Sequence, residues 1–246
     1  MPEPSILAVS VTIALLASVL QGITGFGYNI IVIPLLALYL EPAHAVVAVM
    51  VNNVVLNSLM LAFFWRAVCV GRIWLLTLAG VVATPAGALA LRAVDPGAAR
   101  IAIGVVVMGT GLAMLAGFRR TIRNEAAASG LIGTAGGVLN GAVGMAGPPV
   151  ILFFANQGLR PGEFRANIVA YFAVLTAVAA PSYAMTGTLT AERALFGLLL
   201  TPALVVGVLA GVALHRRVPE QAFRRLTLGL VVLAGVVALG TGVRTL

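Results

Sequence analysis

The sequence has no lysine, one cysteine and few acidic residues, and each shortage excludes a class of protein. The single cysteine, Cys69, excludes an internal disulfide framework and a cysteine-rich metal site. Charged residues make up only 9% of the chain, far fewer than the surface of a soluble domain needs. The sequence offers neither paired carboxylates nor a serine with a neighbouring histidine or acid, so it does not favour an enzyme. We therefore predict no catalytic residue, no metal site and no cofactor.

The positive charge of the chain comes from arginine alone. Its 15 basic residues against 7 acidic residues give a formal net charge of +8. In a soluble protein such a balance can indicate nucleic-acid binding. These arginines lie instead at the ends of apolar runs, where they anchor helices and face lipid headgroups. The charge therefore predicts a lipid bilayer as the partner, and no nucleic acid.

Long apolar runs dominate the sequence. Hydrophobic residues make up 61% of the 246 residues, and the mean hydropathy is +1.10. An apolar run of about 18 or more residues is a candidate membrane-spanning helix. Such runs, with shorter apolar pieces between them, predict an all-α polytopic membrane protein. The long runs are 44–64, 73–91, 98–118, 166–187, 194–214 and 226–243, and the shorter pieces are 5–21, 28–40, 127–139 and 148–157.

Two glycine-rich breaks interrupt the apolar segments in the same way. The stretch LQGITGFGYNIIVIP starts at residue 20, and LNGAVGMAGPPVILF starts at residue 139. Each places an amide side chain, a glycine and another glycine at the same offsets, and Gln21 and Asn140 are 140 − 21 = 119 positions apart. Residues 5–40 as one helix would be about 54 Å long, against a hydrocarbon core of about 30 Å. Each break is therefore either a kink or the tip of a helical hairpin.

The distribution of arginine favours the hairpin. With hairpins, the later loops alternate sides, and one side keeps only Arg92, Arg100, Arg193 and Arg244, which leaves 15 − 4 = 11 arginines on the other. With kinks, the count becomes 8 against 7. Because cytoplasmic loops are enriched in Arg and Lys, the hairpin arrangement predicts a cytoplasmic arginine-rich side and periplasmic termini.

The order of segments repeats, which predicts two membrane domains. Residues 1–118 form the first transmembrane repeat, 119–126 a cytoplasmic linker and 127–246 the second repeat. Each repeat has a Gly-broken, re-entrant-like helix hairpin and three transmembrane helices, and the two enter the membrane from opposite sides. Inverted-topology repeats with broken helices are typical of secondary transporters. The alternative is a duplication in which the glycines serve only close helix packing.

The breaks themselves predict a binding site for a small anion. A helix interrupted inside the membrane leaves N–H and C=O groups that must be buried in protein or line a wet cavity. A helix that restarts at a break points its first N–H groups at that break, which suits an anion. Amide side chains near the breaks are either interhelical contacts or ligands. The predicted substrate-binding residues are Gln21, Gly25, Phe26, Gly27, Tyr28, Asn29, Asn52, Asn53, Asn57, Asn140, Gly144, Met145, Gly147, Arg165, Asn167 and Tyr171, and His44, close to Glu41, is the candidate for proton coupling.

The glycine pattern resembles the sulfite exporter TauE/SafE family. That family shows a G-x-x-G-x-G-G-G-x-x-x-x-P core in its first half and a weaker echo in its second. Tyr28 and Asn29 replace the last two glycines of the core here. The resemblance covers almost the whole chain, and the positions that match are Gly22, Gly25, Gly27 and Pro34, echoed by Gly141, Gly144 and Gly147.

The resemblance implies a multipass carrier for sulfur-containing anions, such as sulfite or organic sulfonates, in the bacterial inner membrane. It places the site at the two breaks. The alternatives are a passive anion channel and a carrier of a non-sulfur organic anion, since Tyr28 and Asn29 add bulk where the family pattern has glycine. The Gly and Ala faces could pack within the chain or between copies, which leaves a homodimer open.

Overall fold

The computed structural model describes residues 3–115 and 124–214. These residues form nine α-helices, one short 3-10 helix at Trp65–Ala67 and no strand, which confirms the all-α prediction. Most of the linker 119–126, the apolar run 226–243 and both ends of the chain lie outside the described residues. The helices are α1 (Pro4–Thr24), α2 (Tyr28–Leu36), α3 (Pro42–Phe64), α4 (Val70–Ala93), α5 (Pro96–Leu115), α6 (Glu125–Val143), α7 (Gly147–Asn156), α8 (Pro161–Met185) and α9 (Ala191–Leu214).

Six of these helices are long and apolar enough to cross a membrane: α1, α3, α4, α6, α8 and α9. Their lengths of 19 to 26 residues match the roughly 20 residues that a bilayer core requires. Large apolar side chains such as Leu16, Val82 and Leu131 are exposed on their outer faces. The chain is therefore a multipass membrane protein.

The two breaks separate a long helix from a short one. Gly25 ends α1 and Gly144 ends α6, with φ of 87° and 69°, and Gly27 precedes α2 with φ of 113°. This left-handed backbone favours glycine, because a Cβ would collide with the chain. The N–H of Gly25 donates to Gln21 O at 2.7 Å, and the N–H of Gly144 donates to Asn140 O at 3.0 Å.

Glycine faces join helices of the first half to helices of the second. On α1 and α9, a Cβ at Gly22 would lie 2.5 Å from Val208 O and 2.9 Å from the Cα of Gly211. On α4 and α6, a Cβ at Gly87 would lie 2.9 Å from the Cα of Gly141. The helices are therefore in backbone contact, as small residues in membrane helices allow. These glycine faces pack within the chain.

The contacts also fix the directions of the helices. Ser18 meets Gly207 and Gly22 meets Gly211, so α1 and α9 run in the same direction. A salt bridge of 3.2 Å between Arg193 and Glu41 joins the start of α9 to the start of α3. The starts of α1 and α3 thus lie on one side, and since α2 ends just before α3, the segment α1–α2 goes in and comes back as a hairpin.

The corresponding helices of the two halves lie antiparallel. The N–H of Cys69, which follows α3, donates to Asn167 Oδ1 near the start of α8 at 2.8 Å. Near the middle of the same two helices, Asn57 Nδ2 donates to Thr176 Oγ1 at 3.1 Å. Helix α8 therefore starts where α3 ends. The division into repeats at 1–118 and 127–246 stays a prediction that this packing supports.

Candidate functional site

A cavity lies between the two breaks, beside the middle of α3 and α8. It has about 420 Å³ of empty space, part of it open to solvent. It is lined by amide, hydroxyl and apolar side chains together with the backbone of the breaks, and by no charged residue among those that the structure describes. The lining residues are Gln21, Phe26, Gly27, Asn29, Ile30, Asn53, Asn57, Asn140, Met145, Ala146, Gly147, Ile151, Phe172 and Thr176.

Side-chain amides hold the first break in shape. Gln21 Nε2 donates to Gly25 O at 3.1 Å, and Gln21 Oε1 accepts from the N–H of Tyr28 at 3.0 Å. Asn29 Nδ2 then donates to Gly144 O at 2.6 Å, which ties the first break to the second. Two of the predicted amides therefore satisfy backbone groups that the interrupted helices would otherwise leave unpaired.

Two amides on α3 keep hydrogen-bonding capacity for a bound molecule. Asn53 lines the cavity with 8% of its surface exposed, and its carboxamide bonds to none of the described residues. Asn57 is 2% exposed, and its Oδ1 has no partner in the described part of the chain. A half turn of this carboxamide would present its NH₂ instead, with Thr176 as donor to Oδ1. A buried polar atom without a partner costs about 1–3 kcal/mol, so these groups favour a polar ligand.

Backbone donors come mainly from the first break. The first N–H groups of α2, at Asn29 and Ile30, have no intrahelical acceptor and belong to cavity-lining residues. Helix α7 has Pro148 and Pro149 in its first turn, and proline has no N–H. The two helix starts are therefore unequal, and α2 offers more backbone donors than α7.

Corresponding positions of the two halves line the same cavity. The hydrogen bond between Asn57 and Thr176 joins residues 119 positions apart, the same interval that separates Gln21 from Asn140. The cavity lies where the two halves meet. The pairs of lining residues at this interval are Gln21 and Asn140, Phe26 and Met145, Gly27 and Ala146, Asn53 and Phe172, and Asn57 and Thr176.

The structure brings nine of the predicted binding residues to the cavity wall and leaves seven outside it. The nine are Gln21, Phe26, Gly27, Asn29, Asn53, Asn57, Asn140, Met145 and Gly147. Those outside shape the neighbouring structure. They are Gly25 and Gly144 at the helix ends, Tyr28 and Asn52 in a buried pair, Arg165 against Gly25, Asn167 on the N–H of Cys69, and Tyr171 against Gly80 and Gly136.

His44 also lies away from the cavity, in the first turn of α3. Its ring meets Phe196 edge-on, with the centroids 5.3 Å apart. Its Nε2 is buried and bonds to none of the residues that the structure describes. The salt bridge between Glu41 and Arg193 forms at the same end of α3. The histidine is thus next to charged groups at one membrane boundary.

Five lining residues were not predicted from the sequence: Ile30, Ala146, Ile151, Phe172 and Thr176. Three of them follow from the interval of 119 residues. Adding it to Gly27, Asn53 and Asn57 leads to Ala146, Phe172 and Thr176. The interval itself was visible in the two breaks, whereas Ile30 and Ile151 are ordinary apolar residues of short helices with no signal of their own.

Comparisons with known proteins agree with the glycine pattern. The family model described as sulfite exporter TauE/SafE matches residues 10–238. A curated protein from Cupriavidus necator, named "Probable sulfite/organosulfonate exporter TauE", is 28% identical over 223 residues, which cover 86% of this chain and 85% of that protein. No solved structure matches the chain. The resemblance is confirmed, and the chain belongs to the sulfite exporter TauE/SafE family.

Proposed function

We propose that this protein is a secondary transporter that moves small sulfur-containing anions, such as organosulfonates or sulfite, across the bacterial inner membrane. The observation that carries the proposal is the uncharged, amide-rich cavity between the two helix breaks. Membership of an exporter family confirms the prediction of a membrane transporter that is not an enzyme. The relative from Cupriavidus necator is named for sulfite and organosulfonate export, and this substrate class is proposed here for the present chain.

The substrate is held by amides and backbone donors. Asn53 offers a carboxamide that bonds to no described residue, and Asn57 offers its NH₂ once its carboxamide turns so that Thr176 donates to Oδ1. The first turn of α2 offers N–H groups together with the positive end of its dipole. An anion bound in this way needs no buried arginine. Gln21 and Asn29 position the backbone of the breaks around it.

Alternating access follows from the proposed inverted arrangement of the halves. The antiparallel placement of α3 and α8, which meet at Asn57 and Thr176, supports it. The cavity then lies between two related units, and movement of one against the other opens it to either side. The arginine-rich side is cytoplasmic, with both termini in the periplasm.

Proton coupling through His44 is part of the proposal. His44 has a buried, unpartnered Nε2 near the pair of Glu41 and Arg193, so its protonation would change the charge at that membrane boundary. A His44→Ala variant reconstituted in proteoliposomes is expected to transport without dependence on an imposed proton gradient. Gradient-driven uptake at the wild-type level in this variant would remove His44 from the mechanism.

A counterflow experiment tests the function. Proteoliposomes are loaded with unlabelled ethanesulfonate, and uptake of labelled ethanesulfonate is followed from outside. A carrier gives saturable uptake that transiently exceeds equilibrium, whereas a channel gives no overshoot. The Asn53→Ala variant is expected to lose at least tenfold in initial rate, because the removed amide bonds to no described residue and is free for the substrate. The control is Ser58→Ala on the exposed face of the same helix, whose hydroxyl donates to Val54 O. Flux without overshoot, or equal rates in both variants, would contradict the proposal.

A further inference from the structure

The two walls of the cavity differ in chemistry although they come from corresponding positions. Asn53 of α3 corresponds to Phe172 of α8, 119 residues later. Both line the cavity, so an amide stands on one side where an aromatic ring stands on the other. A site for a small symmetric oxyanion would gain from amides on both walls. The cavity is instead unsymmetrical at this pair of positions.

The polar part of the cavity with free hydrogen-bonding capacity belongs to the first half of the chain. It consists of the carboxamide of Asn53, the carboxamide of Asn57 and the first N–H groups of α2. The two polar lining residues of the second half are bonded within the protein, since Asn140 Nδ2 donates to Leu175 O and Thr176 Oγ1 accepts from Asn57. Asn53 and Asn57 are both more than nine-tenths buried and have capacity that no described residue uses. Because no charged side chain of residues 3–115 and 124–214 lines the cavity, a single negative charge can be held by dipoles, while a second would be buried without compensation.

Residues of the second half form an apolar corner of the cavity. A Cβ placed on Gly147 would lie 3.2 Å from Cδ1 of Ile151 and 3.4 Å from Cζ of Phe172. The tips of these two side chains therefore both lie close to Gly147, and all three residues line the cavity. We call Gly147, Ile151 and Phe172 the tail corner. Met145, also a lining residue of the second half, adds a flexible apolar side chain.

We propose that the cavity selects singly charged organic sulfonates with a short alkyl chain, and that Phe172 determines this specificity. The sulfonate lies against Asn53 and the start of α2, and the alkyl chain lies in the tail corner. Inorganic dianions bind more weakly, since they place a second charge among uncharged groups and leave the apolar surface unfilled. This inference rests on the proposed function and refines its substrate class.

Affinities for methane-, ethane-, propane- and butanesulfonate, with sulfate as the dianion, test the proposal. They are measured on the purified full-length chain from the concentration dependence of thermal stabilisation. Burial of one methylene contributes about 0.8 kcal/mol, which is about a fourfold gain in affinity per carbon until the tail corner is filled. We expect that gain in the wild type, and at least tenfold weaker binding of sulfate than of propanesulfonate.

Three variants test the tail corner and the polar part of the cavity separately. Phe172→Ala is expected to abolish the gain per carbon while methanesulfonate affinity changes less than threefold. Gly147→Ala adds a methyl group to the tail corner and is expected to move the optimal chain length down by about one carbon. Asn53→Ala is expected to weaken all sulfonates by a similar factor. The control, Phe63→Ala, changes a ring that is 50% exposed on the lipid side of α3 and is expected to alter nothing in the series.

The outcomes separate this inference from the function on which it rests. If sulfonates bind but affinity does not rise with chain length, or if Phe172→Ala and Gly147→Ala leave the series unchanged, the tail corner is refuted and the transporter function stands. If Phe172→Ala weakens every member equally, the ring supports the fold and does not select the substrate. If no anion stabilises the folded wild type, the proposed function itself fails.

Discussion

Two buried tyrosines should respond in opposite ways to the loss of a hydroxyl group. Tyr28, in the first turn of α2, donates to Asn52 Oδ1 at 2.6 Å, and both residues are fully buried. Tyr171, in α8, is fully buried as well, but its hydroxyl bonds to none of the described residues. We expect Tyr28→Phe to lower the free energy of unfolding and Tyr171→Phe to leave it unchanged or raise it.

The size of each change in the free energy of unfolding depends on the polar groups that lose a partner when the hydroxyl is removed. Hydrogen bonds between membrane helices contribute about 0.6 kcal/mol on average and up to about 1.7 kcal/mol. Tyr28→Phe also leaves Asn52 Oδ1 without a donor. The carboxamide cannot turn to compensate, because Nδ2 of Asn52 already donates to Gly197 O at 2.5 Å. An unpaired buried acceptor costs about 1–3 kcal/mol, so we expect a total loss of about 1–2 kcal/mol. Tyr171→Phe removes a polar atom without a partner, for which the expected loss is zero.

The assay is reversible unfolding in mixed detergent micelles, with the helical signal in circular dichroism as the measurement. Tyr39→Phe serves as control, because Tyr39 is 56% exposed and its hydroxyl makes no bond within the described chain. Equal losses for Tyr28→Phe and Tyr171→Phe would refute the reasoning, since the two hydroxyls would then contribute alike. Unchanged stability in Tyr28→Phe would show that the bond to Asn52 is replaced when it is lost.

The other predictions concern helix packing and a helix end. Gly141→Ala would place a Cβ 2.5 Å from the backbone N of Ala88, which cannot move independently of α4, so we expect a loss of about 1–3 kcal/mol. Gly130→Ala on the same helix meets open space and should gain about 0.5–1 kcal/mol, and equal effects of the two would contradict the packing argument. Arg100→Ala removes the bond of 3.0 Å from Nε to Ala37 O that ties α5 to the end of α2, with an expected loss of about 1–2 kcal/mol. The same detergent assay measures all three.

Composition was enough to predict the membrane helices, and local chemistry explains where they differ from the apolar runs. The run 44–64 became Pro42–Phe64, and the run 98–118 starts two residues earlier, at Pro96. Proline suits the first turn of a helix, since its missing N–H would be unpaired there in any case. A scan for apolar residues leaves such prolines out. The ends of the helices are thus predictable to within five residues, the largest difference being at α8, which starts at Pro161 and not at residue 166.

The candidate site was harder to predict, because adjacent amides on one helix point in different directions. Asn52 and Asn53 are neighbours, yet Asn53 lines the cavity and Asn52 bonds to Tyr28. Neighbouring residues of a helix are rotated by about 100°, and only the packed structure shows which one faces the cavity. Asn167 was also predicted to bind the substrate, but its Oδ1 accepts a hydrogen bond from the N–H of Cys69. An amide in a membrane helix therefore indicates that a polar partner lies nearby, but not whether this partner is part of the protein or a ligand.

Corresponding positions explain how such a chain can change its ligand while it keeps its frame. Gly22 and Gly211 join α1 to α9 as Gly141 and Gly87 join α6 to α4, by contacts so close that neither pair accepts a side chain. The cavity positions carry no such constraint, since Asn53 and Phe172 differ in size and polarity within the same antiparallel frame. A change at one of them alters a single wall. In the proposed arrangement of two repeats, the cavity can thus change one substitution at a time, whereas a change at the packing glycines disturbs the fold before it affects the ligand.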